Sequence, residues 1–316
     1  MLTNLLATLF VLALASLFIW LTLRARRSAS PVRRWVGLGA GAVFSLIFLA
    51  VSVAASRGLF LLYGPRGGPV RDITVEATPE RLARGQHIAN TSCVGCHSLN
   101  GQLPLSGGKN LSDEAGMPLG DLYTINLTPA GPLAGWTDGE IFRAIRHAAD
   151  DRNRRLPVMS AQRVRNLGDE DIYSVIAYIR SQPPVQHETP PPRPSFLTVA
   201  MAGANMLPLL PGMAPDTIIA PAPGATLEYG KYMVRWMGCD ECHGPNYTGG
   251  GGGVLPIGPN LRSVKNWSAG QFITTFRTGT TPFGKQLDSL MMPWNVYGRA
   301  TDVELTAIHM YLASLP

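Results

Sequence analysis

The sequence predicts an all-α protein with an N-terminal two-helix transmembrane hairpin followed by two copies of one small helical domain. Two long apolar runs predict the hairpin, and a repeated order of motifs predicts the copies. Each copy contains a cysteine pair, a helix that follows a Trp, a Met, and a C-terminal apolar helix that opens on an Asp. The predicted segments are the hairpin (1–63), a linker (64–77), the first repeat (78–184), a Pro-rich connection (185–224) and the second repeat (225–316).

The hairpin prediction depends on an uncharged apolar run over 2–23 and a second one over 35–55. Each run is about as long as a bilayer-spanning helix. A cleaved signal peptide is the alternative, but the first run lacks a positive n-region, so we expect both helices to be retained. Five arginines in the connection 24–34 predict by the positive-inside rule that it lies in the cytoplasm. The N-terminus and the chain after Tyr63 are then expected on the periplasmic side of a bacterial inner membrane.

The charge is distributed unevenly along the chain. Of the 27 Lys and Arg residues, six arginines lie within 1–63, where there is no acid. This leaves 21 basic residues to balance the 21 acidic residues of the remaining chain. The net charge of +6 therefore belongs to the membrane end, and a nucleic-acid partner is not implied.

The pattern C-x-x-C-H occurs twice, at 93–97 and at 239–243. It is typical of covalent attachment of haem c, in which two thiols add to the haem vinyl groups and the His ligates the iron. A redox dithiol and half of a zinc site are the alternatives. A redox pair has no need of the His, and zinc would require both pairs at one place. The sequence therefore predicts two covalently bound haem c (iron) groups, held by Cys93, Cys96, His97 and by Cys239, Cys242, His243.

A Met in each repeat is the candidate for the second axial ligand of the iron. Met159 and Met292 each stand ten residues before the Asp that opens the last helix, Asp169 and Asp302. A Met thioether closes the iron site and raises its potential. Core methionines are the alternative, but the matched register favours ligation, so we expect His/Met coordination at both irons.

Two further residues remain open as distal ligands. Met291 competes with Met292 but has no counterpart in the first repeat, where Val158 stands. His147 is the alternative to Met159.

A cluster of basic residues brackets the Met159 loop; its members are Arg143, Arg146, Arg152, Arg154, Arg155, Arg163 and Arg165. We expect it to form a solvated face in which one Arg pairs with a haem propionate. The alternative is a docking patch for an acidic redox partner.

Two segments outside the motifs also receive predictions. Three prolines at 190–192 favour an extended strut. The apolar stretch 196–210 is too short to span a membrane, and we expect it to pack against a haem domain or a partner subunit. His87, on the helix before the first cysteine pair, is expected to be solvated.

Both repeats resemble class I cytochrome c domains, and the resemblance covers the chain from Thr78 onward. The segment 258–261, Gly-Pro-Asn-Leu, resembles the one in mitochondrial-type cytochrome c whose Pro carbonyl accepts a hydrogen bond from the ligand His. The resemblance implies that Pro259 orients His243. The first repeat has Thr-Ile-Asn-Leu at 124–127 and lacks this Pro.

A closer resemblance is carried by the stretches 126–129, 135–138 and 183–185, which are similar to cytochrome subunits of membrane-bound bacterial dehydrogenases. The function we expect is electron transfer, without substrate chemistry, in a respiratory or photosynthetic complex. A dehydrogenase cytochrome subunit is the alternative, and a dihaem peroxidase is a further one. The expected partners are other membrane subunits, a redox donor and acceptor protein, and the lipid bilayer.

Overall fold

The computed structural model describes residues 1–159, 162–207, 209, 213–250 and 257–316. The helices are α1 (Leu2–Ala25), α2 (Pro31–Tyr63), α3 (Pro79–Ile88), α4 (Val94–His97), α5 (Leu111–Ala115), α6 (Asp138–His147), α7 (Asp169–Ser181), α8 (Phe196–Gly203), α9 (Leu227–Trp236), α10 (Cys239–His243), α11 (Ala269–Thr278), α12 (Trp294–Tyr297) and α13 (Asp302–Ser314). A π-turn covers Ala89–Cys93, and 3₁₀ turns cover Pro132–Gly135, Arg163–Asn166 and Leu261–Asn266. Two antiparallel strands, β1 (Gly120–Asp121) and β2 (Arg193–Pro194), complete the secondary structure of the described ranges. The all-α prediction is confirmed.

The chain divides into two compact units. The first unit, called here the hairpin unit, contains Met1–Gly64, Ser112–Leu122 and Pro191–Leu209. The second, called here the haem unit, contains the remaining chain and both C-x-x-C-H segments. The two attachment segments therefore belong to one compact body. The domain boundaries read from the sequence stay predictions.

The hairpin forms because the two apolar runs pack side by side. Both α1 and α2 are long and apolar enough to cross a membrane. The ring of Phe18 lies 5.0 Å from that of Phe44 and 5.4 Å from that of Phe48. At the far end of the hairpin, Asn4 Nδ2 donates a hydrogen bond to the Tyr63 hydroxyl at 3.1 Å. The first turn of α1 and the last turn of α2 are therefore level with each other.

Helix α8 packs against the last turns of α2, within the hairpin unit. The approach is so close that a Cβ on Gly58 would meet the Val199 carbonyl, and a Cβ on Gly203 would meet the Ala54 carbonyl. Glycine is required at both positions because any other residue would force the backbones apart. Val199 is completely buried.

The packing of α8 corrects one prediction. The stretch 196–210 was expected to pack against a haem domain or a partner subunit, whereas α8 packs on the chain's own hairpin, and contact with a partner stays a prediction. The physical reason is the pair of small residues on α2 and α8 that lets two apolar helices touch backbone to backbone. Pro208 and Leu210, in the same stretch, lie outside the described residues.

Both repeats are closed by a crossing of their first and last helices. In the first repeat α3 crosses α7 at Gly85, where a Cβ would meet the Ser174 carbonyl. In the second repeat α9 crosses α13 at Gly230, where a Cβ would meet the Ala307 carbonyl. The repeated order of motifs thus folds into two copies of one helix arrangement, as predicted.

The Trp helices of the two repeats, α6 and α11, also begin and end alike. Each starts with a capping box, from Thr137 in α6 and from Ser268 in α11, which satisfies two free backbone N–H groups. Each ends at a residue in the left-handed region, Ala148 with φ 54° and Gly279 with φ 70°. The chain then turns into the loop that carries the candidate Met.

Two buried carboxylates at equivalent positions tie the repeats together. Asp171 is the third residue of α7, and Glu304 is the third residue of α13. Arg84 of α3 donates two hydrogen bonds to Asp171, at 2.8 and 3.1 Å, and one to Glu304 at 3.0 Å. Arg84 therefore joins its own repeat to the other one.

Each carboxylate also takes a partner from the opposite repeat. The Tyr232 hydroxyl donates to Asp171, and His87 Nε2 lies 2.7 Å from a Glu304 oxygen. His87 and Tyr232 are equivalent, since each stands two residues after the crossing glycine of its helix. The prediction of a solvated His87 is wrong, because the contact between the repeats takes its ring into their interface.

Candidate haem-binding sites

The first attachment segment continues directly from α3. The backbone passes through the π-turn Ala89–Cys93 into α4, so Cys93 and Cys96 lie about one helical turn apart on the same side. Removal from water raises the pKa of the Cys93 thiol to about 12. A redox dithiol needs the opposite shift, because the thiolate is its reactive form. This environment disfavours the redox alternative.

The chain enters the second attachment segment through a glycine turn, and not through a π-turn as in the first. Gly238, at φ 76°, turns the chain from the end of α9 into α10, which begins at Cys239. Burial raises the pKa of Cys239 to about 12 as well. In the part of the chain that the structure describes, no group of three or more His, Cys, Asp or Glu side chains is arranged to hold a metal ion. The zinc alternative is therefore disfavoured, and the donor set fits haem c.

The histidines of the two motifs are oriented by backbone carbonyls. His243 Nδ1 donates to the Pro259 carbonyl at 2.7 Å, and His97 Nδ1 donates to the Ile125 carbonyl at 3.0 Å. This bond fixes the tautomer and leaves Nε2 as the ligating nitrogen. Burial lowers the pKa of both imidazoles, which keeps them in the neutral form that binds iron. Ile125 thus takes the place that Pro259 has in the second repeat.

Tight backbone contacts hold each imidazole in place. The Gly258 N–H donates to the Cys242 carbonyl at 2.7 Å, and a Cβ on Gly258 would collide with the His243 ring. In the first repeat, the Gly107 N–H donates to the His97 carbonyl at 2.9 Å. The loop on the His side is therefore closed over the attachment segment, which leaves the opposite side for the haem plane.

Helix α12 packs against the π-turn that leads into the first attachment segment and hydrogen-bonds to the chain just before the second one. The Tyr297 hydroxyl of α12 donates to the Met237 carbonyl at 3.1 Å, and burial raises its pKa. Arg299, just after α12, donates to the Asn90 side chain at 2.8 Å. Asn90 lies in the π-turn that leads into the first cysteine pair. Residues that follow the second Met loop therefore pack on the first attachment segment.

The loops that carry the candidate Met ligands are closed by equivalent hydrogen bonds. The Leu156 N–H donates to the Ala148 carbonyl at 2.8 Å, and the Leu287 N–H donates to the Gly279 carbonyl at 2.7 Å. Both closures span eight residues. The two loops therefore leave their Trp helices in the same way.

Exposure separates the competing methionines of the second loop. Met292 is partly buried, whereas Met291 is 56% exposed. Met159 is partly buried too. These burials support the choice of Met292 over Met291, and ligation by Met159 and Met292 stays a prediction.

The basic cluster is only in part the solvated face that one interpretation expected, since Arg152 and Arg154 are exposed but other members are not. Arg143, Arg146 and Arg165 are buried. Arg146 donates to Asp169 at 2.7 Å and to the Arg165 carbonyl at 2.6 Å, and Arg143 donates to the Asp150 carbonyl at 2.5 Å. These arginines hold the Met159 loop to α6 and α7. The sequence shows that these residues are charged, but it does not show which carbonyl groups accept their hydrogen bonds.

His147 is also buried, and its pKa falls to about 4. Loss of solvent is the main cause, the charges of Arg146 and Arg165 act in the same direction, and Asp216 opposes them. The ring packs on Gly68, and its Nε2 lies 3.5 Å from an Asp216 oxygen. His147 is therefore a neutral packed side chain at neutral pH.

Comparison with known families agrees with this geometry. The sequence model of the family described as Cytochrome c matches residues 82–183 and 227–316, which is more than half of the chain. The chain belongs to the cytochrome c family. It carries two covalently bound haem c groups, one on each C-x-x-C-H segment, and its function is electron transfer.

Its relatives include cytochrome subunits of dehydrogenases. It is 24% identical over 304 residues to the fructose dehydrogenase cytochrome subunit of Gluconobacter japonicus, which covers 85% of this chain and 60% of that protein. It is 27% identical over 279 residues to the cytochrome c subunit of a quinone alcohol dehydrogenase of Gluconacetobacter polyoxogenes, covering 77% and 58%. It is 33% identical over 202 residues to a nicotinate dehydrogenase subunit of Pseudomonas putida, covering 60% and 16%. The chain thus spans at most about three fifths of these proteins.

Proposed function

We propose that this cytochrome is the electron-transfer subunit of a membrane oxidoreductase complex, with a dehydrogenase subunit as its electron donor. The packing of α12, which contacts the chain next to both attachment segments inside one compact unit, carries the proposal. Such a contact supports transfer between two adjacent centres in a single body. The dehydrogenase names of the relatives support the choice of donor, and a respiratory or photosynthetic complex of another kind is the alternative.

Bound haem c would supply a one-electron centre at each site. The chain's own residues fix its position: the cysteines anchor it, and the carbonyls of Ile125 and Pro259 hold His97 and His243 in the ligating tautomer. We propose that a thioether from Met159 and one from Met292 close the distal faces. Closed faces exclude small ligands and favour electron transfer over peroxide chemistry.

The proposed topology is a hairpin with both ends outside and the arginine-rich connection 24–34 in the cytoplasm. Two single-cysteine variants test it, because the native cysteines are bound in thioethers. Ser28→Cys should resist an impermeant thiol reagent in intact spheroplasts, whereas Gly67→Cys should react. The reverse pattern would overturn the topology and the periplasmic location of the haem unit.

The test of the complex uses the full chain purified in mild detergent from its own membranes. We expect dehydrogenase subunits to co-purify and the substrate of that dehydrogenase to reduce both haems within one turnover. The control is a Cys93→Ser/Cys96→Ser variant, which should retain one haem only. Co-purification with subunits of another kind contradicts the dehydrogenase assignment, and rapid peroxide turnover by the isolated cytochrome contradicts a pure electron-transfer role.

A further inference from the structure

Helix α8 lies at a defined depth along the hairpin. Asn4 Nδ2 donates both to the Tyr63 hydroxyl, at 3.1 Å, and to the Pro194 carbonyl, at 2.8 Å. This end of the hairpin is called here the Asn4 end. The 24 residues of α1 are about 36 Å long, slightly more than the roughly 30 Å hydrocarbon core of a bilayer. A membrane that contains α1 therefore has one of its surfaces near the Asn4 end.

The contact between α8 and α2 lies below that surface. Gly58, against which Val199 packs, stands five residues before Tyr63, or about 8 Å along the helix axis. Interfacial helices bury their apolar face about 5–10 Å into the boundary between headgroups and acyl chains. The depth of α8 matches this boundary.

The chemistry of α8 matches the same environment. Its sequence, Phe-Leu-Thr-Val-Ala-Met-Ala-Gly, carries no charge, and the apolar side chain of Leu197 is 41% exposed. Val53 and Phe60 of α2 are exposed as well. Arg57 stands next to Gly58 and donates to the Gly203 carbonyl at the end of α8. A cation at a helix C-terminus is stabilised by the helix dipole, which lowers the cost of placing it near lipid.

We infer that α8 is a membrane-interface helix, seated in the leaflet at the Asn4 end of the hairpin with Leu197 in contact with acyl chains. The connection between the two haem domains therefore returns to the bilayer and adds a third apolar element to the anchor. The inference depends on the proposed insertion of the hairpin. Its occupant is lipid, and neither a haem domain nor a partner subunit is needed to cover this face.

The test uses single-cysteine variants of the full haem-loaded chain in lipid nanodiscs, each carrying a nitroxide. Leu197→Cys reports on α8, Val53→Cys on the hairpin, and Ile219→Cys, at a site that is 89% exposed in the haem unit, on water. Collisions with oxygen, which concentrates in lipid, are compared with collisions with a water-soluble nickel chelate. We expect the oxygen-to-nickel ratio at Leu197→Cys to be several-fold above that at Ile219→Cys and close to that at Val53→Cys.

The outcomes distinguish a failure of the α8 inference from a failure of the proposed hairpin insertion. A water-like ratio at Leu197→Cys with a lipid-like ratio at Val53→Cys overturns the interface helix but leaves the hairpin in the membrane. Water-like ratios at both positions overturn the insertion itself. A second measurement needs no variant: an apolar carbene reagent dissolved in the bilayer should label peptides from 196–203 of the wild-type chain, and absence of label there contradicts the inference.

Discussion

The two repeats place different side chains at equivalent positions of their shared interface. Three positions are equivalent in the two repeats. Arg84 of the first repeat corresponds to Tyr229 of the second, His87 to Tyr232, and Asp171 to Glu304. Each carboxylate has a partner from its own repeat and one at the equivalent position of the other, which gives approximate two-fold symmetry, and Arg84 breaks this symmetry because it also donates to Glu304. The first repeat supplies a guanidinium and an imidazole, whereas the second supplies two phenols. The two repeats therefore share the positions of these contacts, but the basic side chains at these positions come from the first repeat only.

A second equivalent pair differs in burial and in the additional partners of the buried copy. Arg146 and Asp169 form an ion pair at 2.7 Å, and so do Arg277 and Asp302. The side chains of the first pair are 0% and 16% exposed, whereas those of the second pair are 37% and 72% exposed. The same ion-pair distance therefore occurs once at a largely buried site and once at an exposed site. Identical substitutions at the two sites measure what burial adds.

The largest expected effect is on the iron sites. Met159→Ala and Met292→Ala should each remove one of two resolvable redox transitions and leave one iron open to carbon monoxide, because a thioether that closes a distal face is lost. Redox titration and carbon monoxide difference spectra measure this. Met291→Ala is the matched control and should change neither. A Met292→Ala protein that keeps both transitions and stays closed to carbon monoxide would show that another residue ligates the second iron.

The next effect is on stability, at the buried ion pair. Arg146→Gln should lower the free energy of unfolding by about 3 kcal/mol, since it removes the fully buried guanidinium from the partly buried Asp169, which keeps Arg71 as a charged partner. The matched Arg277→Gln should cost less than about 1 kcal/mol, as is usual for exposed pairs. Denaturant titration of both variants in one detergent gives the comparison. Equal losses at the two sites would mean that burial does not set the energy of this pair.

The interface predicts a pH dependence. Burial alone would raise the pKa of Glu304, but hydrogen bonds and charges from His87, Thr301 and Arg84 outweigh it and hold the pKa at about 2. A depressed folded-state pKa means that the stabilisation is present above the ordinary value of about 4.3 and is lost as the pH falls toward 2. We expect Glu304→Gln to lose about 2–3 kcal/mol at pH 6.

The same variant should differ progressively less from wild type as the pH falls from about 4 to 2. Unfolding curves of both proteins across this range provide the measurement, and the difference between them cancels the titration of other groups. Gln keeps a side-chain oxygen for the capping box of α13, so the variant tests the interface charge. A difference that is constant with pH would contradict the prediction.

The smallest effects are expected where the Trp helices end. Gly279→Ala should cost at least about 1 kcal/mol, because it places a Cβ in the left-handed region and against the Trp294 ring. Ala148→Gly should be close to neutral, since relief of the left-handed strain, about 1 kcal/mol, offsets the lost burial of a methyl group, about 0.8 kcal/mol. Thermal unfolding of the two variants measures the contrast. A large loss for Ala148→Gly would show that its methyl group is needed for packing.

The sequence by itself determined the features that depend on local order along the chain. The two apolar runs, the C-x-x-C-H segments and the repeated order of motifs were enough to predict the hairpin, the two covalent haems and the duplicated helical domain. These predictions succeed because helix length and motif spacing are read within a short stretch of residues. The Pro259 carbonyl was found by resemblance, since the segment around it carries a recognisable pattern.

The tertiary structure decided which distant groups meet. The carbonyl of Ile125 has no side-chain signature, so nothing in the sequence of the first repeat marks it as the partner of His97. His87 and Arg146 resemble solvated residues until α9, α13 and α7 are folded around them, because burial is a property of packing and not of residue type. The position of α8 on α2 likewise depends on two glycines, Gly58 and Gly203, that are 145 residues apart and become complementary only when the chain returns to its anchor.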